Sequence, residues 1–109
     1  MPIDVIQVMR NWLDLNQQQL EALGTTAVLS IGNPERTPRS AWIDFENSGF
    51  MGRVIAWERG DTEAELASLR AGEIRAPIYR EIQSPSELEE ILASVMRAVS
   101  LTDVPSDAE

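Results

Sequence analysis

From Ser40 to Glu46 the side chains alternate, with Ala41, Ile43 and Phe45 on one side and Trp42, Asp44 and Glu46 on the other. That is the period of a strand with one buried face. Asn47-Ser48-Gly49 follows with turn chemistry. The next run, Met51 to Arg59, sets Gly52, Val54 and Ala56 against Arg53, Ile55 and Trp57 and stops at Gly60-Asp61. Together the two runs predict a hairpin whose small apolar set faces a core. Its outer face then carries two tryptophans beside an aspartate. Gly52 is expected at a bulge and Gly60 at a turn.

The flanking segments read just as directly. Between Asp4 and Leu23 the apolar residues Val5, Met9, Trp12, Leu13, Leu20 and Leu23 form one stripe of a helix. Asp4 and Gln7 suit a capping box, and Gly24 stands at the C′ position. Trp12 lies on the stripe and is expected in the core, while Asn16 to Gln19 suit a solvated surface. Thr25 to Ile31 reads as a strand, and the loop from Gly32 to Pro38 is irregular because of its two prolines. Thr62 to Leu69 alternates Ala64 and Leu66 with Glu63, Glu65 and Ala67, and Arg70-Ala71-Gly72 makes the return. Glu73 to Ile82 is the last strand, with Ile74, Ala76, Ile78 and Ile82 expected on a single face and Tyr79 outward with Pro77. Pro77 predicts an edge strand or a bulge. Ser84-Pro85-Ser86-Glu87 is a helix start, with serine as N-cap, proline at N1 and glutamate at N3. Leu88, Ile91, Leu92, Val95, Met96 and Val99 form its stripe, and Glu87, Glu89 and Glu90 near its start complement the helix dipole.

The order of helix, five strands and helix, joined by short connections, predicts an α+β fold with an antiparallel meander sheet. Each helix has a single apolar stripe, so both are expected on one face of the sheet. The other face stays open. An open face normally carries polar side chains, yet Trp42, Ile55 and Trp57 stand there among Asp44, Arg53, Glu63 and Glu65. Apolar surface ringed by charge marks an interaction site. Residues 1–100 are expected to form one domain and residues 101–109, rich in acids and lacking an apolar period, a flexible tail.

Composition narrows the chemistry. A chain of 109 residues with 43% hydrophobic and 25% charged residues suits one soluble globular core. There are 18 acids against nine bases and a formal charge of −9, a field that repels phosphate backbones and favours a basic partner. Nucleic acid is therefore not an expected ligand. Cysteine and histidine are both absent, which removes disulfides, thiolate chemistry and most zinc and hydrolase sites. All nine bases are arginine, which excludes Schiff-base chemistry and a phosphate-loop lysine. No signal-peptide pattern and no run of membrane-spanning length occurs in the sequence, so a cytoplasmic protein without membrane association or cofactor is the expectation.

Several of these runs also carry a family resemblance. Leu20-Glu21-Ala22-Leu23-Gly24, Ile43-Asp44-Phe45-Glu46, Gly52 to Gly60, Glu63-Ala64-Glu65-Leu66, Ala71-Gly72-Glu73 and Ile82 to Leu88 resemble the TriTu-type immunity proteins of bacterial polymorphic and contact-dependent toxin systems. The likeness spans Asn11 to Val99, and Gly-Arg-Val-Ile-Ala-Trp-Glu-Arg-Gly is its most specific part. The chain departs from that pattern at Arg59, where serine is usual, and at Thr62, where a small residue such as cysteine is frequent. The resemblance implies a stoichiometric inhibitor, not an enzyme, whose partner is a cognate toxin domain. A nuclease toxin needs a basic groove, which an acidic protein with aromatic anchors can occupy.

Trp42, Asp44, Trp57, Glu58, Glu63 and Glu65 are the expected contact set, with the carboxylates meeting toxin lysine or arginine. The expected state is a monomer or weak dimer. A small acidic secretion chaperone is the competing reading, although five uninterrupted strands count against its usual interleaved helix. A carboxylate enzyme site built from Asp44, Glu58, Glu63 and Glu65 is the third, and a flat sheet face offers it no pocket.

Overall fold

A computed structural model describes residues 2–33, 35–68 and 74–102, with the side chains of 74–77 and 100–102 outside that description. The elements run α1 (Val5–Ala22), β1 (Thr26–Ile31), β2 (Ser40–Glu46), β3 (Phe50–Trp57), β4 (Asp61–Ser68), β5 (Ile74–Glu81) and α2 (Pro85–Thr102). The five strands form one antiparallel sheet in the order β1-β2-β3-β4-β5, the meander expected from the short connections. The return at Arg70-Ala71-Gly72 and the tail from residue 103 onward lie outside the described residues.

Both helix starts follow from their sequences. Asp4 accepts a hydrogen bond from Gln7 N at 3.1 Å, one half of the anticipated box. The Gln7 side chain donates to Asn11 instead. At α2, Ser84 Oγ accepts from Glu87 N at 3.4 Å, while the Glu87 carboxylate accepts from Gln83 N. Gly24 ends α1 with φ +67°, the left-handed C′ conformation that glycine adopts without penalty.

The two helices lie side by side on one face of the sheet, α1 over β1 and β2 and α2 over β3 and β4. Met9, Trp12 and Leu20 of α1, Ile43 and Phe45 of β2, Val54 of β3, and Leu88, Leu92 and Val99 of α2 close the core between them. The Trp12 and Phe45 rings meet edge to face with centroids 5.8 Å apart, an arrangement favoured by the ring quadrupoles. Trp12 is thus a core residue, as its place on the stripe requires.

Two details differ from the periodicity reading. Gly52 is not at a bulge; it sits in regular register, opposite Phe45 on one side and Leu66 on the other. A Cβ there would lie 2.8 Å from Val95 Cγ1 and 3.0 Å from Val99 Cγ2. The missing side chain leaves room for Val95 and Val99 of α2 against the sheet. The irregularity lies instead between β4 and β5, where the register shifts between Ala64 and Leu66. Ala76 and Pro77 together face the single residue Glu65, which satisfies the expectation of a bulge on an edge strand. The shift also breaks the single face expected of β5, because Ile74 is opposite Ala67 while Ile78 is opposite Ala64. Ile82 is buried, but Ile78 is 63% exposed. The helices pack chiefly on β1 to β4.

Candidate functional site

The meander register draws the side chains of the uncovered sheet face into rows that cross the strands. One row runs Val28, Asp44, Arg53, Glu65 and the next Ser30, Trp42, Ile55, Glu63, Tyr79. Neighbours along such a row are about 4.5–5.5 Å apart at Cβ and interact directly. Trp42, Asp44, Trp57, Glu63 and Glu65 all share this face. Trp42 and Trp57 are half-buried, whereas Glu63 and Glu65 are exposed.

Arg53 organises the first row. Its Nε donates to Asp44 Oδ1 at 2.6 Å and its Nη2 to Asp44 Oδ2 at 3.3 Å. The same guanidinium lies 6.0 Å from the centre of the Trp42 ring, at the outer limit of cation–π attraction. The hydrogen bonds that Arg53 donates to Asp44 hold its guanidinium above the ordinary pKa; desolvation works against this, and the charges of Asp44 and Glu65 add to it. Asp44 is therefore already engaged within the molecule. Among the described residues, Glu63 and Glu65 have no ion-pair partner.

Glu58 is placed apart from the other five. It follows β3 in the turn, where its carboxylate accepts from Arg39 N at 3.1 Å. Its backbone carbonyl accepts from Ile3 N at 2.8 Å and its amide donates to Arg39 O at 2.9 Å. This residue fastens the N-terminal segment to the end of the hairpin.

Sequence patterning missed two members of the open face. Val28 is 59% exposed and Met51 42% exposed, and both extend its apolar area. The alternation of Thr26, Val28 and Ser30 contains the signal for Val28, but only pairing with Asp44 reveals which side of the sheet it joins. At the far margin Tyr79, 61% exposed, donates its hydroxyl to Asp61 at 3.0 Å. Asp61 also accepts from Arg59 at 3.2 Å.

Indole and aliphatic surface beside unpaired carboxylates suits non-covalent recognition of cationic groups. Among the described residues no group of three carboxylates is placed to hold a metal ion, and no helix is long and apolar enough to cross a membrane. The family described as Immunity protein TriTu has a profile that matches residues 7–98. No curated protein matches the chain at a significant level.

Proposed function

The chain belongs to the TriTu immunity protein family, and on that premise we propose that it neutralises a basic nuclease toxin by covering that toxin's substrate groove with the open sheet face. Such a toxin would be the C-terminal domain of a polymorphic or contact-dependent inhibition protein, met in the cytoplasm and bound one to one. The observation that carries this reading is the row of Trp42, Ile55 and Glu63 next to Asp44, Arg53 and Glu65. Apolar anchors surrounded by charge are the usual anatomy of a binding hot spot.

Glu63 and Glu65 are the residues best suited to meet toxin lysine or arginine, because neither carboxylate is engaged by a described base. Trp42 and Trp57 provide the contact area that slows release, and Asp44 acts together with Arg53. Glu58 contributes at the edge of the surface. The net charge of −9 accelerates encounter with a basic partner, an effect that weakens as salt is added. An interface of standard size takes about 800 Å² from each partner, an area of the order of one sheet face.

The test is titration of candidate nuclease toxin domains with this protein, with activity and binding followed together. Equimolar protein should abolish cleavage, and Trp57→Ala and the pair Glu63→Arg with Glu65→Arg should each weaken binding about tenfold or more while melting temperature stays within a few degrees. A toxin that remains fully active when bound would identify an escort protein instead. Unchanged affinity in both variants would remove this face from the interface.

A further inference from the structure

The side of the sheet opposite β1 ends at β5, an edge that no further strand among the described residues pairs with. α2 packs chiefly on β3 and β4, and residues 78–81 of β5 are exposed on both faces. Ile78 on the helix side and Tyr79 on the open side are 63% and 61% exposed. Between Ile78 and α2 lies an apolar groove of about 220 Å³, walled by Ala64, Leu66, Val95 and Ala98. Arg80 stands at the end of this groove nearer Ile91. On the opposite face the same strand presents Tyr79 and Glu81 next to Glu63 and Asp61.

We propose that the β5 edge from Ile78 to Glu81 receives an extended segment of the toxin, which adds a sixth strand to the sheet. This proposal rests on the toxin-binding function and extends its surface around the sheet edge. An edge strand offers an unpaired row of backbone donors and acceptors, and strand addition uses them for affinity while alternate side chains supply selectivity. The alternation determines the chemistry of the incoming strand. Side chains that fall beside Ile78 enter the groove and must be apolar. Those that fall beside Tyr79 and Glu81 join the open face, next to Glu81 and in the row that Glu63 begins on β4, and long basic side chains, lysine or arginine, suit them. The occupant is an amphipathic, basic strand. A second copy of this chain fits poorly, because it would bring one acidic edge, with Glu81 on β5 and Glu63 and Asp61 behind it, up to another of the same sign. Pro77 has no amide hydrogen, and with the bulge at Ala76-Pro77 it confines pairing to the half of β5 that follows.

The probe is a capped synthetic peptide of alternating valine and arginine, about eight residues long, with a scrambled peptide of the same composition as control. The alternating peptide should bind at least about tenfold more tightly than the scrambled one and slow amide exchange along Ile78 to Glu81. Ile78→Arg, at an exposed position, should abolish that difference and also weaken toxin binding about tenfold, with melting temperature preserved. Equal binding of the two peptides, or toxin affinity unaffected by Ile78→Arg, would overturn the proposal. If toxin affinity then still falls with Glu63→Arg and Glu65→Arg, the sheet-face reading stands without the edge. If the toxin is not inhibited at all, the peptide comparison still decides the edge. Dimerisation in solution that Ile78→Arg abolishes would give the edge to a second copy and would likewise overturn the assignment.

Discussion

Arg53 on β3 and Asp44 on β2 are directly opposite in the sheet and joined by two hydrogen bonds, Nε to Oδ1 at 2.6 Å and Nη2 to Oδ2 at 3.3 Å. A surface that is otherwise acidic thus keeps one base pinned at its centre, near Trp42. The side chains are 44% and 36% exposed, so the pair contributes at most about 1 kcal/mol to stability. Arg53→Gln should therefore cost little in urea denaturation. It should accelerate association with a basic partner at low salt by freeing the Asp44 carboxylate and removing a positive charge. Stopped-flow rates measured against ionic strength check this, and a slower association would show that Arg53 itself contacts the partner.

Gly52 and Gly60 differ in what surrounds them, and their alanine variants should differ in reparability. At Gly52 the added Cβ meets side-chain methyls of Val95 and Val99 at 2.8 and 3.0 Å. Gly52→Ala should destabilise by about 1–3 kcal/mol through overpacking, and Val95→Ala in the same chain should recover part of that loss. At Gly60 the Cβ would stand 2.6 Å from the Ile82 carbonyl oxygen with φ at +110°. Gly60→Ala should cost about 1–3 kcal/mol or more, because both strain and clash lie in the backbone, and no neighbouring side-chain truncation should restore it. Thermal denaturation of the single and double variants separates the two cases.

Asn47 joins the β2–β3 turn to the end of α2. Its Oδ1 accepts from the amides of Gly49 and Phe50, each at 2.9 Å, and its Nδ2 donates to the Val99 carbonyl at 2.9 Å. Asn47→Ala should lower stability by about 1–3 kcal/mol. Asn47→Asp preserves the turn acceptors but loses the donor and sets a carboxylate against the negative end of the helix. It should be no more stable than the alanine variant at neutral pH and should recover as the pH falls and the acid becomes protonated. Comparing unfolding at neutral and acidic pH measures this difference.

Tyr79 is the single tyrosine of the chain, which makes its ionisation visible by absorbance. Its hydrogen bond to Asp61, with smaller contributions from burial and from the charges of Asp61 and Glu81, raises the phenol above its ordinary pKa, while Arg59 opposes the shift. A raised folded-state value means that the neutral phenol favours the folded chain. That contribution is present below the unfolded phenol pKa and is lost as the pH climbs through the folded one. Absorbance titration should find Tyr79 ionising above the free phenol. Asp61→Ala should bring it down, and Arg59→Ala should move it further up.

Much of this molecule is legible along the chain. The period of two in Ser40–Glu46 and the stripes of α1 and α2 depend on which side chains avoid water, and that requirement acts residue by residue. Hence Ile43, Phe45, Leu88 and Leu92 are buried as their spacing demands, and the helix–meander–helix order follows from the short connections. Alternation likewise sends Trp42, Asp44, Glu63 and Glu65 to the uncovered face. What alternation cannot contain is who stands beside whom. The engagement of Asp44 by Arg53, the addition of Val28 to the open face, and the diversion of Glu58 to Arg39 all arise from how neighbouring strands are paired. Gly52 makes the same point on the other face, because its lack of a side chain answers to the approach of Val95 and Val99, more than 40 residues further along the chain. Ile78 follows the rule for a buried strand position yet is left in solvent, since α2 packs chiefly on β3 and β4. Local pattern determined which side of each element turns from water; distances between elements, set only when the chain is folded, decided which of those positions are covered, paired or free.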